Sequence, residues 1–239
     1  MYIINSRGIN IMELPEYWIK CPNLEINDTE KLFFDSIFEN IIKSGKNQMI
    51  KYSSLTPKWK FLSYIAKQYP YILHGSGNNN IKTFEPRQPI DLTTFGNQKA
   101  VYAAADGIWP IFYAILNRAK YPMSLCSGCI YIKAENEILT GPFYFFSISK
   151  NALEQRPYQP GTIYILPKDT FQTQSDETIK GNKIYIPQLA SIVEVKPVAR
   201  IQVGPEDFPF LNFIRGFNES DLESYSNAMA RGEPLPQKI

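Results

Sequence analysis

The one histidine of this 239-residue chain, His74, is followed directly by Gly75 and Ser76. An imidazole titrates nearest neutrality, so it can serve as a base, a hydrogen-bond partner or a metal ligand. A nucleophilic triad would pair it with Ser76 or Ser127, but the chain has no GxSxG turn to present the serine. Cys126-Ser127-Gly128-Cys129 has the CxxC spacing of a redox motif or of half a metal site. A structural zinc takes four ligands, and only Cys21 and His74 remain to complete the set. A redox CxxC opens a helix in a parallel-sheet unit, whereas this pair runs into a strand-like segment. It reads as a loop and strand start with reduced thiols, and no metal is expected. GxGxxG, GxxxxGK[ST] and HExxH are all missing. What remains is a histidine at a strand end, beside a Gly-Ser where main-chain groups can approach a ligand, with Tyr102 and Tyr113 downstream. Singly, a lone histidine is usually a hydrogen-bonded part of the fold, and the tyrosines are core aromatics by default. Their combination singles out residues 72–116.

That combination resembles the ADP-ribosyltransferase superfamily, in the His-Tyr-Glu branch that includes the poly(ADP-ribose) polymerases. The matching residues are Leu73-His74-Gly75-Ser76, Phe95-Gly96, Val101-Tyr102-Ala103-Ala104 and Tyr113. In that branch an HG[ST] strand is followed by a (G)xYFA strand and then by a helix bearing a second tyrosine. Here His74 and Tyr102 are 28 residues apart, and Tyr113 follows 11 residues later. The resemblance implies that His74 holds ribose hydroxyls of NAD and that Gly75 pairs its main-chain groups with the nicotinamide carboxamide. It implies that Tyr102 and Tyr113 sandwich the charged nicotinamide ring, whose attraction to electron-rich faces is electrostatic. Ser76 would reach the adenosine half. The implied reaction is loss of nicotinamide through a ribosyl cation-like state, with a protein or nucleic-acid acceptor attacking.

Two positions depart from the pattern. The branch carries a small hydroxyl residue one helical turn before the second tyrosine, and Pro110 stands there. Its third signature residue is a Glu opening a late strand. Glu194, in SIVEVK, and Gln188, in IPQLAS, are the two candidates, with Glu194 preferred. A Gln can hold a ribose hydroxyl but supplies no negative charge. Arg87, in FEPR, either pairs with Glu85 or meets a pyrophosphate, whose oxygens match a guanidinium fork. The leading expectation is an NAD-dependent ADP-ribosyltransferase. The alternatives are a module that binds NAD or ADP-ribose without turnover, and an α+β interaction protein that does not use NAD. An RNA 2′-phosphotransferase ranks lower, because it needs arginines around the phosphate and few lie near the motif.

The elements that position these residues follow from periodicity and punctuation. Thr29 to Lys43 reads as a helix capped by Asp28 and stopped by Gly45, with Phe34, Ile37, Phe38, Ile41 and Ile42 on one face. A second helix starts at Pro57 and ends before Tyr69-Pro70. Tyr71–His74 and Ala100–Ala104 read as strands, 84–99 as a long loop, and Ile108–Arg118 as a helix capped by Asp106. Six short apolar runs then read as strands: Cys129–Lys133, Pro142–Ile148, Thr162–Leu166, Lys183–Ile186, Ile192–Lys196 and Ala199–Val203. Residues 1–27 read as irregular with one short strand, and a weak helix is expected near Asp221–Ala230. The pattern is that of an α+β domain with a mainly antiparallel sheet, and the resemblance implies the split sheet of an ADP-ribosyltransferase-like fold behind an N-terminal helical cap. Its divisions are a helical cap (1–69), the transferase-like domain (70–217) and a C-terminal tail (218–239).

Composition sets the outer limits. Apolar residues make up 44% and charged residues 20%, which is a folded chain's balance, not a disordered one's. A net charge of +2 advertises neither a nucleic-acid nor a membrane surface. There is no long apolar run and no basic start followed by an apolar block, so no membrane partner is expected. The placement is cytoplasmic, or exported as an effector or toxin by a route without a signal peptide. Three cysteines are too few for a disulfide framework.

Overall fold

The two N-terminal helices form where apolar residues recur every three or four positions. In the computed structural model, which describes residues 14–44 and 47–236, helix α1 spans Asp28–Ser44 and buries Phe34 and Phe38. Its cap is Asn27 rather than Asp28. Asn27 Oδ1 accepts the Glu30 N–H at 2.9 Å while Glu30 Oε2 accepts the Asn27 N–H at 3.0 Å, a reciprocal capping box. Gly45, read as the stop, lies outside the described residues. Helix α2, Lys58–Gln68, starts after Pro57 and buries Trp59, Phe61, Leu62, Tyr64 and Ile65.

Two mixed, mostly antiparallel sheets account for the rest. Among the described residues, one sheet has the order β2 (Gln48–Met49), β12 (Ala199–Val203), β7 (Gly161–Pro167), β3 (Tyr71–Ser76), β4 (Val101–Ala104), β11 (Gln188–Ser191), β8 (Gln172–Thr173). The other runs β1 (Ile19–Lys20), β6 (Leu139–Ser149), β5 (Leu125–Lys133), β10 (Asn182–Tyr185), β9 (Glu177–Ile179), with β13 (Arg215–Phe217) also on β6. Only the β2–β12 and β6–β13 pairs are parallel. Helix α3, Trp109–Ile115, packs on β3 and β7 and turns Phe112 onto Phe146 of β6, ring centroids 4.9 Å apart. A one-turn helix α4, Lys150–Leu153, follows β6, and α5, Leu222–Arg231, lies near β5 with Met229 against Cys126.

Strand alternation divides the core. Leu73, Ile163, Ile165 and Ile201 face α3 together with Phe34, Phe61, Phe112, Tyr144 and Phe146, so the N-terminal helices share this cluster with both sheets. Ile72, Val101, Tyr164, Leu166 and Leu189 face the opposite side, under Phe84 and Val195.

Several boundaries differ from the sequence expectation. β3 runs on through Gly75 and Ser76, because Ser76 still pairs with Thr162. β5 starts at Leu125, so the CxxC lies inside a strand and not in a loop. α3 stops at Ile115 instead of Arg118, since Leu116 is extended and bridges Tyr158. The strand expected at Ile192–Lys196 is instead β11, four residues earlier. Ile192 and Val193 form a bend, and Val195 makes a single bridge to Phe84. Ile192 and Val193 are exposed there, so their β-branched run misled the reading. The very short strands β2, β8, β9 and β13 carried no detectable period.

α3 lies flush on the sheet because two glycines leave room for it. An ideal Cβ on Gly75 would stand 1.8 Å from the Pro110 carbonyl oxygen, and one on Gly161 would stand 2.0 Å from that of Ala114. Gly161→Ala must therefore lift the helix or distort β7, at a cost of about 1–3 kcal/mol. Thermal unfolding should show it as a midpoint lowered by several degrees; an unchanged midpoint would contradict this packing.

Candidate functional site

The site grows from the place where β3 and β4 part. β3 pairs with β7 along all six residues, from Tyr71↔Pro167 to Ser76↔Thr162, but with β4 at Leu73↔Ala104 alone. Beyond that pair the strands are joined by a side chain. His74 Nδ1 lies 2.6 Å from the Tyr102 carbonyl oxygen. A carbonyl only accepts, so Nδ1 carries the hydrogen, and in the neutral ring Nε2 is left as an acceptor. The ring is kept neutral: burial holds its pKa below the usual histidine value, with Arg87 adding to this and the carbonyl bond opposing it. Phe84 covers the imidazole, centroids 4.6 Å apart, and Phe84 is fixed by its main-chain bridge to Val195.

Tyr102 points to the other face of the sheet, where the long loop clamps it. Its Oη accepts the Gln98 N–H at 3.1 Å and donates to a carbonyl, with Phe95 O at 2.9 Å and Gln98 O at 2.8 Å within reach. The Phe95 ring meets the phenol edge-on at 6.4 Å. The loop thus passes from one side of the sheet, at Phe84, to the other, at Phe95, around the start of β4. Main-chain bonds between Arg87 and Ala100, both 3.1 Å, hold its neck.

Tyr113 is brought in by α3. The start of that helix is fixed by Asp106, as the sequence suggested: Oδ1 accepts the N–H groups of Ile108 at 2.9 Å and Trp109 at 2.6 Å. Oδ2 accepts the Tyr144 hydroxyl at 2.7 Å, tying α3 to β6. One turn on, Tyr113 Oη lies 2.9 Å from Ser127 Oγ of β5, which also accepts Trp109 Nε1–H at 3.0 Å. Burial raises the pKa of both Tyr102 and Tyr113, and the Asp91 carboxylate on the loop raises both further.

β3, β4 and α3 bring His74, Gly75, Tyr102 and Tyr113 to one junction but turn the side chains to different faces: the imidazole lies against Phe84 on one side of the sheet, and the two phenols lie on the α3 side. The two phenols make no ring contact with each other or with the imidazole among the described residues. Gly75 is pressed on α3, which by itself explains why a glycine is needed there. Ser76 Oγ accepts the Asn78 N–H at 3.1 Å in an exposed turn. Arg87 is exposed on the loop, its charge felt by His74. Gln188 opens β11 and pairs with Ala104, on the strand of Tyr102. Glu194 is exposed just past the bend after β11 and lines a surface cavity with Pro167, Asp169, Thr170 and Lys196. Pro167 pairs with Tyr71, the end of β3 away from Gly75.

Cys126 and Cys129, three apart in a strand, face opposite sides. Cys126 contacts Met229, and Cys129 is buried in the main cluster. Burial pushes Cys126 up to about 12 and Cys21 up to about 11, so both are thiols rather than thiolate nucleophiles or ligands. Among the described residues no group of three or more His, Cys, Asp and Glu side chains could hold a metal ion, and no helix is long and apolar enough to cross a membrane. Sequence reasoning missed Trp109 and Asp91, and weighed Ser127 only as a nucleophile for His74. Trp109 stands four residues before Tyr113, a spacing that puts both on one helix face and was legible. Ser127 and Asp91 gave no local signal. Comparisons with protein families, with curated proteins and with solved structures returned no match.

Asp106 makes a testable pH dependence. Burial raises its pKa above the ordinary aspartate value of 3.8, against the pull of the Trp109 N–H and the Tyr144 hydroxyl. The folded chain then holds a proton that the unfolded chain has released, so this group's contribution to stability is complete below that value and falls as pH rises through the folded one. Asp106→Asn cannot ionise. The stability of wild type minus that of the variant, from urea unfolding at a series of pH values, should decline upward from about pH 4. A flat difference would refute the assignment.

Proposed function

We propose that this chain is an NAD-binding domain of the ADP-ribosyltransferase type, transferring ADP-ribose slowly because its third signature position is Gln188 instead of a carboxylate. The observation that carries the reading is the parting of β3 and β4, bridged by His74 Nδ1 and the Tyr102 carbonyl. It opens the sheet beside Gly75 and leaves Nε2 as an acceptor, which is what holding a ribose hydroxyl requires. The two-sheet, mainly antiparallel α+β architecture is compatible with the fold of that superfamily.

In this reading Tyr102 and Tyr113 flank the nicotinamide ring, whose positive charge is attracted to their faces and to Asp91. The bond from the ribose C1′ to the nicotinamide nitrogen breaks with its electron pair leaving on nicotinamide. An acceptor nucleophile on a protein or nucleic acid bonds to C1′ and loses its proton. Gln188, entering β11 beside the Tyr102 strand, is the residue favoured for the third position, which replaces the earlier preference for Glu194. Its amide can orient a ribose hydroxyl but does not stabilise the growing positive charge.

Calorimetry with NAD and mass spectrometry of released nicotinamide test the reading together. NAD should bind and nicotinamide should appear slowly. Gln188→Glu should speed release by about 10²-fold, the size expected for one well-placed electrostatic group, while Glu194→Gln leaves it unchanged. No binding at millimolar NAD would sink the proposal. Acceleration absent in Gln188→Glu but lost in Glu194→Gln would return the third position to Glu194.

A further inference from the structure

A surface groove lies where α1 meets the turn from α2 into β3. It holds about 230 Å³ and is lined by Phe38, Glu39, Ile42, Tyr69, Pro70 and Tyr71. Drug-sized ligands take roughly 300–1,000 Å³, so this space suits a small head group. Phe38 is buried and forms the floor. The Tyr69 ring packs against it at 4.7 Å and the Tyr71 ring at 5.3 Å, while Tyr69 and Tyr71 make no ring contact with each other among the described residues. They are two separate aromatic walls on one aromatic floor. Glu39 lines the groove, and Asp35, one turn earlier on α1, accepts the Tyr69 hydroxyl at 2.7 Å. Burial raises the pKa of that phenol, and the charges of Asp35 and Glu39 raise it further.

The lining is poor in partners for an N–H. Phe38, Ile42 and Pro70 carry no side-chain acceptor. The Tyr69 carbonyl accepts the Tyr71 N–H at 2.8 Å, the Pro70 carbonyl accepts the Lys168 N–H at 3.1 Å, and the Tyr69 N–H donates to the Ile65 carbonyl at 3.1 Å. A primary ammonium has three N–H donors to satisfy and would forfeit hydration here. A quaternary ammonium has none, and its charge is drawn to aromatic faces.

We propose that the Phe38–Tyr69–Tyr71 groove binds a small quaternary ammonium compound of the choline class, its charge balanced by Glu39 and Asp35. The main-chain groups beside the groove are spent within the fold, so the backbone of a peptide finds no edge to pair with, and the occupant is a free small molecule. The groove lies at the end of β3 away from Gly75, and its ligand does not depend on the NAD reading.

A chemical-shift titration of the full chain compares choline with its neutral isostere, in which a tert-butyl group replaces the trimethylammonium, and with ethanolamine, its primary ammonium counterpart. Choline should bind about ten-fold tighter than either. Tyr71→Leu and Glu39→Gln should each weaken choline several-fold and leave the neutral isostere unchanged, and Tyr71→Phe, which keeps the ring, should retain choline binding. Glu39 is exposed on α1, so Glu39→Gln keeps the test decisive should Tyr71→Leu not fold. Equal affinity for choline and its isostere overturns the proposal, because it marks a merely apolar groove. No binding of choline in the millimolar range overturns it as well. Choline that is untouched by both variants, or that saturating NAD displaces, sits elsewhere on the molecule and also refutes the assignment. A trimethyl-lysine peptide that binds far more tightly than choline would refute the free small molecule as occupant.

Discussion

The hydrogen bond from His74 Nδ1 to the Tyr102 carbonyl is the constraint on which the site depends. Two neighbouring strands of one sheet ordinarily satisfy each other's main-chain groups, and a gap between them leaves polar groups in need of partners. Here the gap begins one residue past Leu73↔Ala104, and the imidazole spans it. The ring does so through the hydrogen on Nδ1, and Phe84 packs over it. Phe84 in turn is held by Val195, just past the bend that follows β11. The side chain that opens the sheet is thus secured by a segment more than a hundred positions downstream.

α3 obeys a second constraint of the same kind. Its seven residues make too short a helix to persist alone. Asp106 secures its first turn from within the core, and Gly75 and Gly161 let its backbone settle on two strands. A buried carboxylate is expensive without partners, and here three donors meet it. The result is a rigid mount that carries Trp109, Phe112 and Tyr113 toward the second sheet. Gly75 belongs to both constraints. It follows the bridging histidine and lies under the helix, so its lack of a side chain has a packing cause whatever binds nearby.

Much of this was legible in the sequence because it is local. Capping carboxylates, strand alternation around His74 and Tyr102, and proline-marked helix starts all express themselves within a few residues. Two of the misreadings share a physical cause: the deciding partner was distant along the chain. The apolar run Ile192–Lys196 has strand composition, but β4 pairs with the four residues before Ile192, and composition could not show that. CxxC spacing said nothing about which sheet would receive Ser127. Asn27 and Asp28 are both good caps, and only the reciprocal bond with Glu30 separates them.

The loop 84–99 looked formless for want of a period, yet it governs the electrostatics of the proposed cleft. The groups on the sheet and on α3 carry no net charge near neutrality: His74 is neutral, the two phenols keep their protons and Gln188 is an amide. The loop carries Arg87, whose charge lowers the pKa of His74, and Asp91, whose charge raises those of the two tyrosines. Asp91 is held in place locally, its Oδ1 accepting the Thr93 N–H at 2.8 Å and hydroxyl at 2.7 Å. A dinucleotide with a cationic ring at one end and phosphates along its length needs opposite signs at separate points. In the proposed reading, a single loop, pinned at its neck by Ala100 and at its far side by the Tyr102 hydroxyl, supplies both from one piece of main chain. The length that made it unreadable is what lets it reach around β4 and serve both faces.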